Sequence, residues 1–196
     1  SPYSPYQEIY LDFLPVRDYV DSGIWTVRLI PQRIVTGRYD MWFPAGGVLN
    51  EGTGFLLPRE ETTLTIPSTA AKVITVGAYD ARLAGFSGRG FTGNGQVKPD
   101  LAAPGVEITS CAPGGGYTAR SGTSMATPFV TGSAALLMEW GIVRGNDAYL
   151  YGEKIKAYLI RGARPLGGGR ASGLLQEYPN PQVGWGTLCL SDSLPE

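Results

Sequence analysis

Alternating apolar and polar residues in the first 66 positions predict several short β-strands. Three runs repeat with a period of two, which places every second side chain on the same face of an extended chain. The apolar members of the three runs are Ile9, Leu11 and Phe13, then Trp25, Val27 and Leu29, and finally Tyr39, Met41 and Phe43. Turn-forming residues separate the runs at 21–23 and 44–47, and a further short strand is predicted at 62–66. Short strands separated by turns indicate part of a β-sandwich or jelly roll, with too few strands to close it.

After Pro67 the pattern changes to strands that alternate with helices. The predicted strands cover 72–78, 106–110 and 186–190, and the predicted helices cover 123–140 and 146–161. The second helix carries an apolar stripe that is expected to face a core. The residues of this stripe are Ala148, Tyr151, Ile155, Tyr158 and Leu159. This alternation indicates an α/β layer with buried parallel strands.

Charge and composition exclude several classes of protein. The 196 residues carry 16 Lys and Arg against 17 Asp and Glu, so nothing attracts the chain generally to nucleic acid or to anionic membranes. Hydrophobic residues make up 43%, which argues against disorder, and 28 Gly with 15 Pro favour many turns. No apolar run approaches the ~20 residues of a membrane-spanning helix. The chain begins at Ser1 without Met or a signal-like segment, so we expect it to be a piece of a longer protein.

The sequence contains no histidine, so a mechanism that needs imidazole cannot be completed inside this chain. Cys111 and Cys189 allow one disulfide bond or two free thiols, and two cysteines are too few for a cysteine-based zinc site. Asp80, Asp100 and Glu107 lack the dense spacing of a calcium-binding loop. We interpret these three carboxylates as surface or capping groups and expect no metal site.

The most informative segment is a predicted helix start that carries a serine. Ser124 follows a glycine-rich loop at 114–116, in a helix that begins close to Thr123. The unpaired N–H groups and the dipole of a helix N-terminus stabilise an oxyanion formed by attack of such a hydroxyl. Gly122 lets another backbone come close, and Pro128 is tolerated only near the N-terminal end of a helix. The alternative is that Thr123 and Ser124 are ordinary N-cap residues.

The run Gly122-Thr123-Ser124-Met125-Ala126-x-Pro128 resembles the nucleophile signature of the subtilisin-like serine peptidases. Four other segments resemble the same family in the order that it requires. They are 72–79 (KVITVGAY, like the central V-I-x-V-G-A strand), 86–90 (FSGRG, like the F-S-x-x-G loop), 98–106 (KPDLAAPGV, like the K-P-D-x-x-A-P-G-V run) and 183–186 (VGWG, like the Y-G-x-G turn). The resemblance covers about residues 63–190 and implies the C-terminal portion of a subtilisin-like parallel-sheet α/β fold.

The resemblance also implies a mechanism and roles for individual residues. Ser124 would attack the scissile carbonyl of a protein or peptide substrate, while a histidine takes its proton, an aspartate orients the histidine and an asparagine completes the oxyanion hole. In the family these three partners precede the strand at Val73, so an N-terminal portion of the same protein would supply them and this chain alone would be inactive. Thr123 would support the oxyanion site, and Ser121 would lie along the bound peptide. Pro67 matches a cis proline near the primary specificity pocket, and no cofactor is implied.

Two features depart from the plain family pattern. Phe129 stands where the family usually has a histidine that is not part of the catalytic triad. The leading β segment is similar to the jelly-roll insertion of clostridial subtilases of the spore-germination type, a similarity carried by 23–29 and 37–44. We therefore predict that residues 1–62 form a partial jelly-roll insertion and that residues 63–196 form the C-terminal portion of a catalytic domain. Such a protein would be extracellular, on the cell surface or associated with spores.

Two other functions stay open. One is a pseudoprotease that keeps the fold for binding, and the other is a structural or adhesive β module with the α/β part as its scaffold. A separated piece of this fold would also leave a sheet edge bare, so we expect the isolated chain to associate with itself.

Overall fold

The computed structural model describes residues 8–44, 48–167 and 177–194, and the chain divides into two units, Ser1–Met41 and Trp42–Glu196. Ser1 and most of the turn predicted at 44–47 lie outside the described residues. Within residues 8–41 the first unit forms no strand, and its backbone pairing consists of one isolated bridge between Val16 and Tyr19.

The predictions of strands at 9–13, 25–30 and 38–43, and of a fourth at 62–66, were wrong for this chain. A strand is stable only when a neighbour pairs its backbone and covers its apolar face. Among the described residues the first three runs have no paired neighbour, and at 62–66 the backbone pairing stops at two hydrogen bonds, from Thr62 and Thr63 to the carbonyls of residues 90 and 89. The apolar residues of the three runs are exposed. One local contact in the first unit is an edge-to-face pair of rings, Phe13 and Trp25, with centroids 5.1 Å apart. The partial jelly roll over residues 1–62 stays a prediction.

The second unit contains a small parallel sheet. Strand β1 (Val76–Tyr79) pairs in parallel with β2 (Leu101–Pro104), with Val76 opposite Leu101. On the other side of β2, the Ala102 N–H donates to the carbonyl of Gly186 over 2.8 Å, and the Leu188 N–H donates to the carbonyl of Ala102 over 2.8 Å. The predicted last strand is thereby reduced to a parallel bridge at Thr187, and β2 was not anticipated as a strand.

A hairpin connects the sheet to the longest helix. Strand β3 (Ile108–Cys111) pairs antiparallel with β4 (Tyr117–Arg120), with Ile108 opposite Arg120. The loop at its tip contains the three glycines 114–116, all with positive φ. The predicted strand at 106–110 therefore exists as β3, shifted by two residues at its start, and β4 returns the chain towards the serine segment.

Helix α1 (Thr123–Met138) begins at the predicted residue and packs against β1 and β2. A π-helical segment, Glu139–Val143, continues it. Two shorter helices follow, α2 (Gly152–Arg161) and α3 (Leu190–Ser193). The buried core comprises Ala78, Ala84, Leu101, Ala103, Ala126, Val130, Leu137, Leu150, Ile155 and Leu159.

The second predicted helix is shorter than expected. It begins at Gly152 rather than at 146, because the preceding residues form a turn in which the Asp147 N–H donates to the carbonyl of Gly141 over 2.9 Å. Of the predicted apolar stripe, Ile155 and Leu159 are buried. Tyr158 is half-buried, whereas Ala148 and Tyr151 precede the helix and are exposed.

The helical stretch Thr123–Val143 is long and apolar enough, by length and composition, to cross a membrane. The expectation that no apolar run approaches that length was therefore wrong. In this fold the stretch packs on the sheet through the buried residues Ala126, Val130, Ser133 and Leu137. We interpret it as the core helix of the α/β unit.

Candidate active site

Ser124 is the second residue of α1 and is exposed. The N-cap of the helix is Gly122, and no side chain caps it, so the interpretation of Thr123 and Ser124 as ordinary N-cap residues was wrong. Within the described residues, neither the hydroxyl nor the backbone N–H of Ser124 has a hydrogen-bond partner. Both groups therefore stand unpaired at the positive end of a 16-residue helix, where negative charge is stabilised.

Gly122 keeps the space near the Ser124 N–H open. Its φ is +157°, a value that residues with a Cβ seldom adopt, and a Cβ built there would lie 3.8 Å from the Ser124 nitrogen. The Gly122 carbonyl accepts the N–H of Ala126 over 3.3 Å, which is the first regular bond of the helix, and the N–H of Met125 over 3.0 Å. A helix start leaves four N–H groups without a helical partner, here those of residues 122–125. The N–H of Gly122 donates to the carbonyl of Gly105 and that of Met125 to Gly122, whereas those of Thr123 and Ser124 have no acceptor in the described part of the chain.

Gly105 fixes where this helix start lies relative to the sheet. Its N–H donates to the carbonyl of Tyr79 at the end of β1 over 3.0 Å, and its carbonyl accepts the Gly122 N–H over 2.8 Å. A Cβ built at position 105 would lie 2.7 Å from the Cβ of Ala78 and 2.9 Å from the carbonyl oxygen of Gly122. Only glycine fits this junction without displacing β1 or the helix.

The first turn of α1 is also shaped by Pro128 and by threonines. The Thr127 hydroxyl donates to the carbonyl of Thr123 over 2.9 Å. Pro128 has no N–H, so the carbonyl of Ser124 receives no helical hydrogen bond from four residues ahead. Phe129, which replaces the family's usual histidine, is exposed on the outer face of the helix.

The sequence-predicted site residues fall in two places. Ser121, Gly122, Thr123 and Ser124 are consecutive, and the hydroxyl oxygen of Ser121 accepts the N–H of Glu107 over 2.9 Å. Pro67 is exposed and follows a cis peptide bond, as the resemblance implied. No hydrogen bond within the described residues joins its loop to residues 121–124.

A buried cluster of charges lies beside the sheet, where sequence reasoning expected a surface or capping carboxylate. Asp100 is only 2% exposed, so that expectation was wrong for it, whereas Asp80 and Glu107 are exposed. The Asp100 carboxylate lies 2.8 Å from the ammonium group of Lys98 and 2.6 Å from that of Lys156. It also accepts the Thr75 N–H over 2.7 Å. Burial of the Lys98 ammonium lowers its pKa, and the hydrogen bond with Asp100 opposes this shift.

The same two lysines hold the loop that follows Pro67. Lys98 donates to the carbonyl of Val73 over 2.7 Å, and Lys156 donates to the carbonyls of Ala71 and Val73 over 3.1 and 3.2 Å. The role of Lys156 was missed, because nothing in the sequence pairs a lysine of α2 with a distant loop. Gly105 and Lys98 lie in the K-P-D-x-x-A-P-G-V run, so that run was the available signal for them.

The two cysteines are free thiols, with Cys111 exposed and Cys189 partly buried. Over residues 8–44, 48–167 and 177–194, no group of three His, Cys, Asp or Glu side chains is placed to hold a metal ion. Among the described residues, the site presents a serine hydroxyl without a hydrogen-bond partner beside a backbone N–H that also has none.

The fold and this serine segment define a subtilisin-like protein. Residues 56–186 match the Peptidase_S8 model, the Subtilase family, and the chain belongs to that family. It is 36% identical over 145 residues to the subtilisin-like serine protease Pen c 1 of Penicillium citrinum, covering 65% of this chain and 36% of that protein. It is 39% identical over 103 residues to the serine protease AprX of Bacillus subtilis (strain 168), covering 41% of this chain and 23% of that protein.

A solved structure supports the same fold. The CspB protease of Clostridium perfringens superposes with a TM-score of 0.67 and 47% sequence identity, covering 74% of this chain and 30% of that one. The chain thus spans well under two thirds of the length of these relatives. The subtilisin-like fold with a parallel sheet and helices is confirmed, as is the family.

Proposed function

We propose that this chain carries the nucleophile of a serine endopeptidase, which hydrolyses peptide bonds through an acyl-enzyme. The observation that supports this most strongly is Ser124 itself. The residue is exposed at the start of α1, and within the described part of the chain neither its hydroxyl nor its N–H has a hydrogen-bond partner; its sequence matches the Subtilase family.

The proposed reaction begins when the Ser124 oxygen attacks the carbonyl carbon of the scissile peptide bond. A histidine takes the hydroxyl proton, and the N–H of Ser124 and an asparagine side chain receive the negative oxygen of the tetrahedral intermediate. The carbon–nitrogen bond then breaks, and the amine leaves with the proton from the histidine. Water next adds to the ester, with its proton passing to the histidine, and releases the carboxylic acid and the free serine.

The neighbours of Ser124 have supporting roles in this proposal. The backbone of Gly122 leaves room for the substrate beside the Ser124 N–H, and Thr123 supports the oxyanion site. Pro67 belongs to the neighbourhood of the primary specificity pocket. The loop that follows Pro67 is held by the buried Lys98 and the half-buried Lys156, which favours a fixed pocket wall.

The histidine, aspartate and asparagine come from an N-terminal portion of the same protein in this proposal. The chain contains no histidine and spans 36% of Pen c 1 and 30% of the CspB chain. The chain alone is then inactive. An extracellular or cell-surface location, expected from the resemblance, belongs to the same proposal.

Hydrolysis of an unfolded protein substrate by the complete protein tests this function. We expect cleavage that is abolished by Ser124→Ala and unchanged by Ser110→Ala, which removes an exposed hydroxyl from β3. A folded complete protein that cleaves no peptide bond would favour the pseudoprotease. Cleavage that survives Ser124→Ala would exclude Ser124 as the nucleophile.

A further inference from the structure

The hairpin that leads to Ser124 ends in a side-chain hydrogen bond. Ile108 lies opposite Arg120, so the next pair towards the helix is Glu107 and Ser121. The Glu107 N–H donates to the hydroxyl oxygen of Ser121 over 2.9 Å, and no backbone carbonyl accepts it in the described part of the chain. The Ser121 side chain thus takes the place of a backbone acceptor at the end of the hairpin.

Glu107 has an unusual backbone at this point. Its φ is +52°, in the left-handed region that residues with a Cβ avoid. Such a conformation persists only where the surrounding contacts hold it, and it is concentrated at functional sites. The hydrogen bond from its N–H to Ser121 is the contact that joins this residue to the serine segment.

The turn at Glu107 is followed by a second link to the same segment. The Gly122 N–H donates to the carbonyl of Gly105 over 2.8 Å, so residues 105 and 107 hold the two residues that precede Thr123. We name the two hydrogen bonds, Glu107 to Ser121 and Gly122 to Gly105, the helix-start clamp. The clamp therefore holds the backbone of the two residues that lead into α1, next to the turn that carries Ser124.

We propose that Ser121 is a positioning residue for Ser124, acting through the helix-start clamp rather than by contact with the substrate. This inference rests on the proposed function, since it concerns the reactivity of the proposed nucleophile. It gives Ser121 a different task from that of lying along the bound peptide.

The variants Ser121→Ala and Ser121→Thr, made in the complete protein, separate the two tasks. The probe is a small alkyl fluorophosphonate, which reacts with the nucleophile and leaves the peptide subsites empty. For Ser121→Ala we expect its second-order rate constant to fall about three- to tenfold, the effect of one neutral hydrogen bond. The KM for a peptide substrate should stay within about twofold, because no substrate contact is lost. Ser121→Thr keeps the hydroxyl and should restore the rate, and Ser110→Ala should change neither quantity.

A second measurement does not depend on activity. Amide hydrogen exchange of Gly122 reports the clamp directly, because its N–H is protected by the carbonyl of Gly105. We expect Ser121→Ala to accelerate this exchange about tenfold and Ser121→Thr to leave it near the wild-type rate.

Three results would overturn the inference. The first is an unchanged Gly122 exchange rate in Ser121→Ala. The second is a raised KM with an unchanged probe rate, which would make Ser121 a substrate contact. The third is a folded Ser121→Thr protein that reacts as slowly as the alanine variant. A wild-type protein that the probe does not label would contradict the proposed function instead, and the exchange rates would still decide the clamp.

Discussion

The ammonium group of Lys156 lies 2.6 Å from the carboxylate of Asp100, which is nearly inaccessible to solvent. This contact ties α2 to the segment that leads into β2. Lys98 completes the cluster from the other side at 2.8 Å. The single carboxylate of Asp100 therefore balances the charge of two ammonium groups, and that of Lys98 is completely buried. Both ammonium groups also donate to backbone carbonyls of the loop after Pro67.

Asp100→Asn should destabilise the fold strongly. The variant removes the only negative charge of the cluster and leaves two cations together in a poorly solvated place. Breaking a buried pair in this way costs about 3–5 kcal/mol. Urea unfolding of the complete protein measures the loss. The matched variant Asp80→Asn changes an exposed carboxylate and should stay within about 0.5 kcal/mol of wild type. Equal effects at the two positions would contradict the account of the cluster.

Gly105→Ala should weaken both stability and the reactivity of Ser124. The added Cβ would lie 2.7 Å from the Cβ of Ala78 and 2.9 Å from the carbonyl oxygen of Gly122, so β1 or the helix start must move. Overpacking of this kind costs about 1–3 kcal/mol. Thermal unfolding and labelling by a fluorophosphonate measure the two effects.

Gly132→Ala is the control for that substitution. Gly132 lies inside α1, and a Cβ built there meets nothing within 4 Å. Alanine in an open helical position stabilises by about 0.5–1 kcal/mol, so the two glycine variants should differ in sign. A Gly105→Ala protein as stable as wild type would show that the close approach at this junction is not required.

How much the sequence could predict depended on the range of the interactions involved. The start of α1 at Thr123 was predictable, because glycine, small polar residues and an early proline act within one helical turn. The strands predicted before residue 44 failed, because alternation reports only which face of a strand is apolar. Whether a strand forms depends on a partner that pairs with it, and none is present within residues 8–44.

The buried charges could not be predicted from the sequence either, because their contacts join distant parts of the chain. Asp100 looks like a surface residue in a composition argument, since isolated carboxylates are seldom buried. Its burial depends on Lys98, two positions away, and on Lys156, which α2 brings back from a distant part of the chain. Ser124, the proposed nucleophile, was identified from a local motif, whereas the contacts that Gly105 and Glu107 make with the residues before it required the structure.

The isolated chain should associate with itself. Within the described residues, β2 is the only strand that pairs with β1, and the outer edge of β1 is covered only in part, by the Ser87 hydroxyl and the Ala84 N–H, which bond the N–H and the carbonyl of Ala78. Leu136 and Met138 also expose apolar surface on α1. Light scattering coupled to size exclusion should therefore find dimers or larger species. A monodisperse monomer would contradict this expectation, and Leu136→Lys should shift the distribution towards smaller species.

Stability should fall in acid partly through Asp192. A hydrogen bond from Arg164 holds the pKa of the Asp192 carboxyl below its ordinary value of 3.8. The interaction of Asp192 with Arg164 stabilises the fold at pH values above the pKa of the carboxyl in the unfolded chain. This stabilisation is lost as the pH falls through the lower pKa of the carboxyl in the folded protein. Urea midpoints measured between about pH 6 and about pH 2 should therefore fall less steeply in Asp192→Asn than in wild type. Identical pH dependence in the two proteins would exclude this contribution.

The central claim is that Ser124 is a nucleophile in the complete protein. Mass spectrometry after treatment with a fluorophosphonate tests it most directly, because the probe leaves a phosphonyl group on the serine that reacts. The account predicts modification of the peptide that contains Ser124, none in Ser124→Ala, and none in the isolated chain, which has no histidine. A folded complete protein in which Ser124 stays unmodified, or in which another serine carries the group, would contradict it.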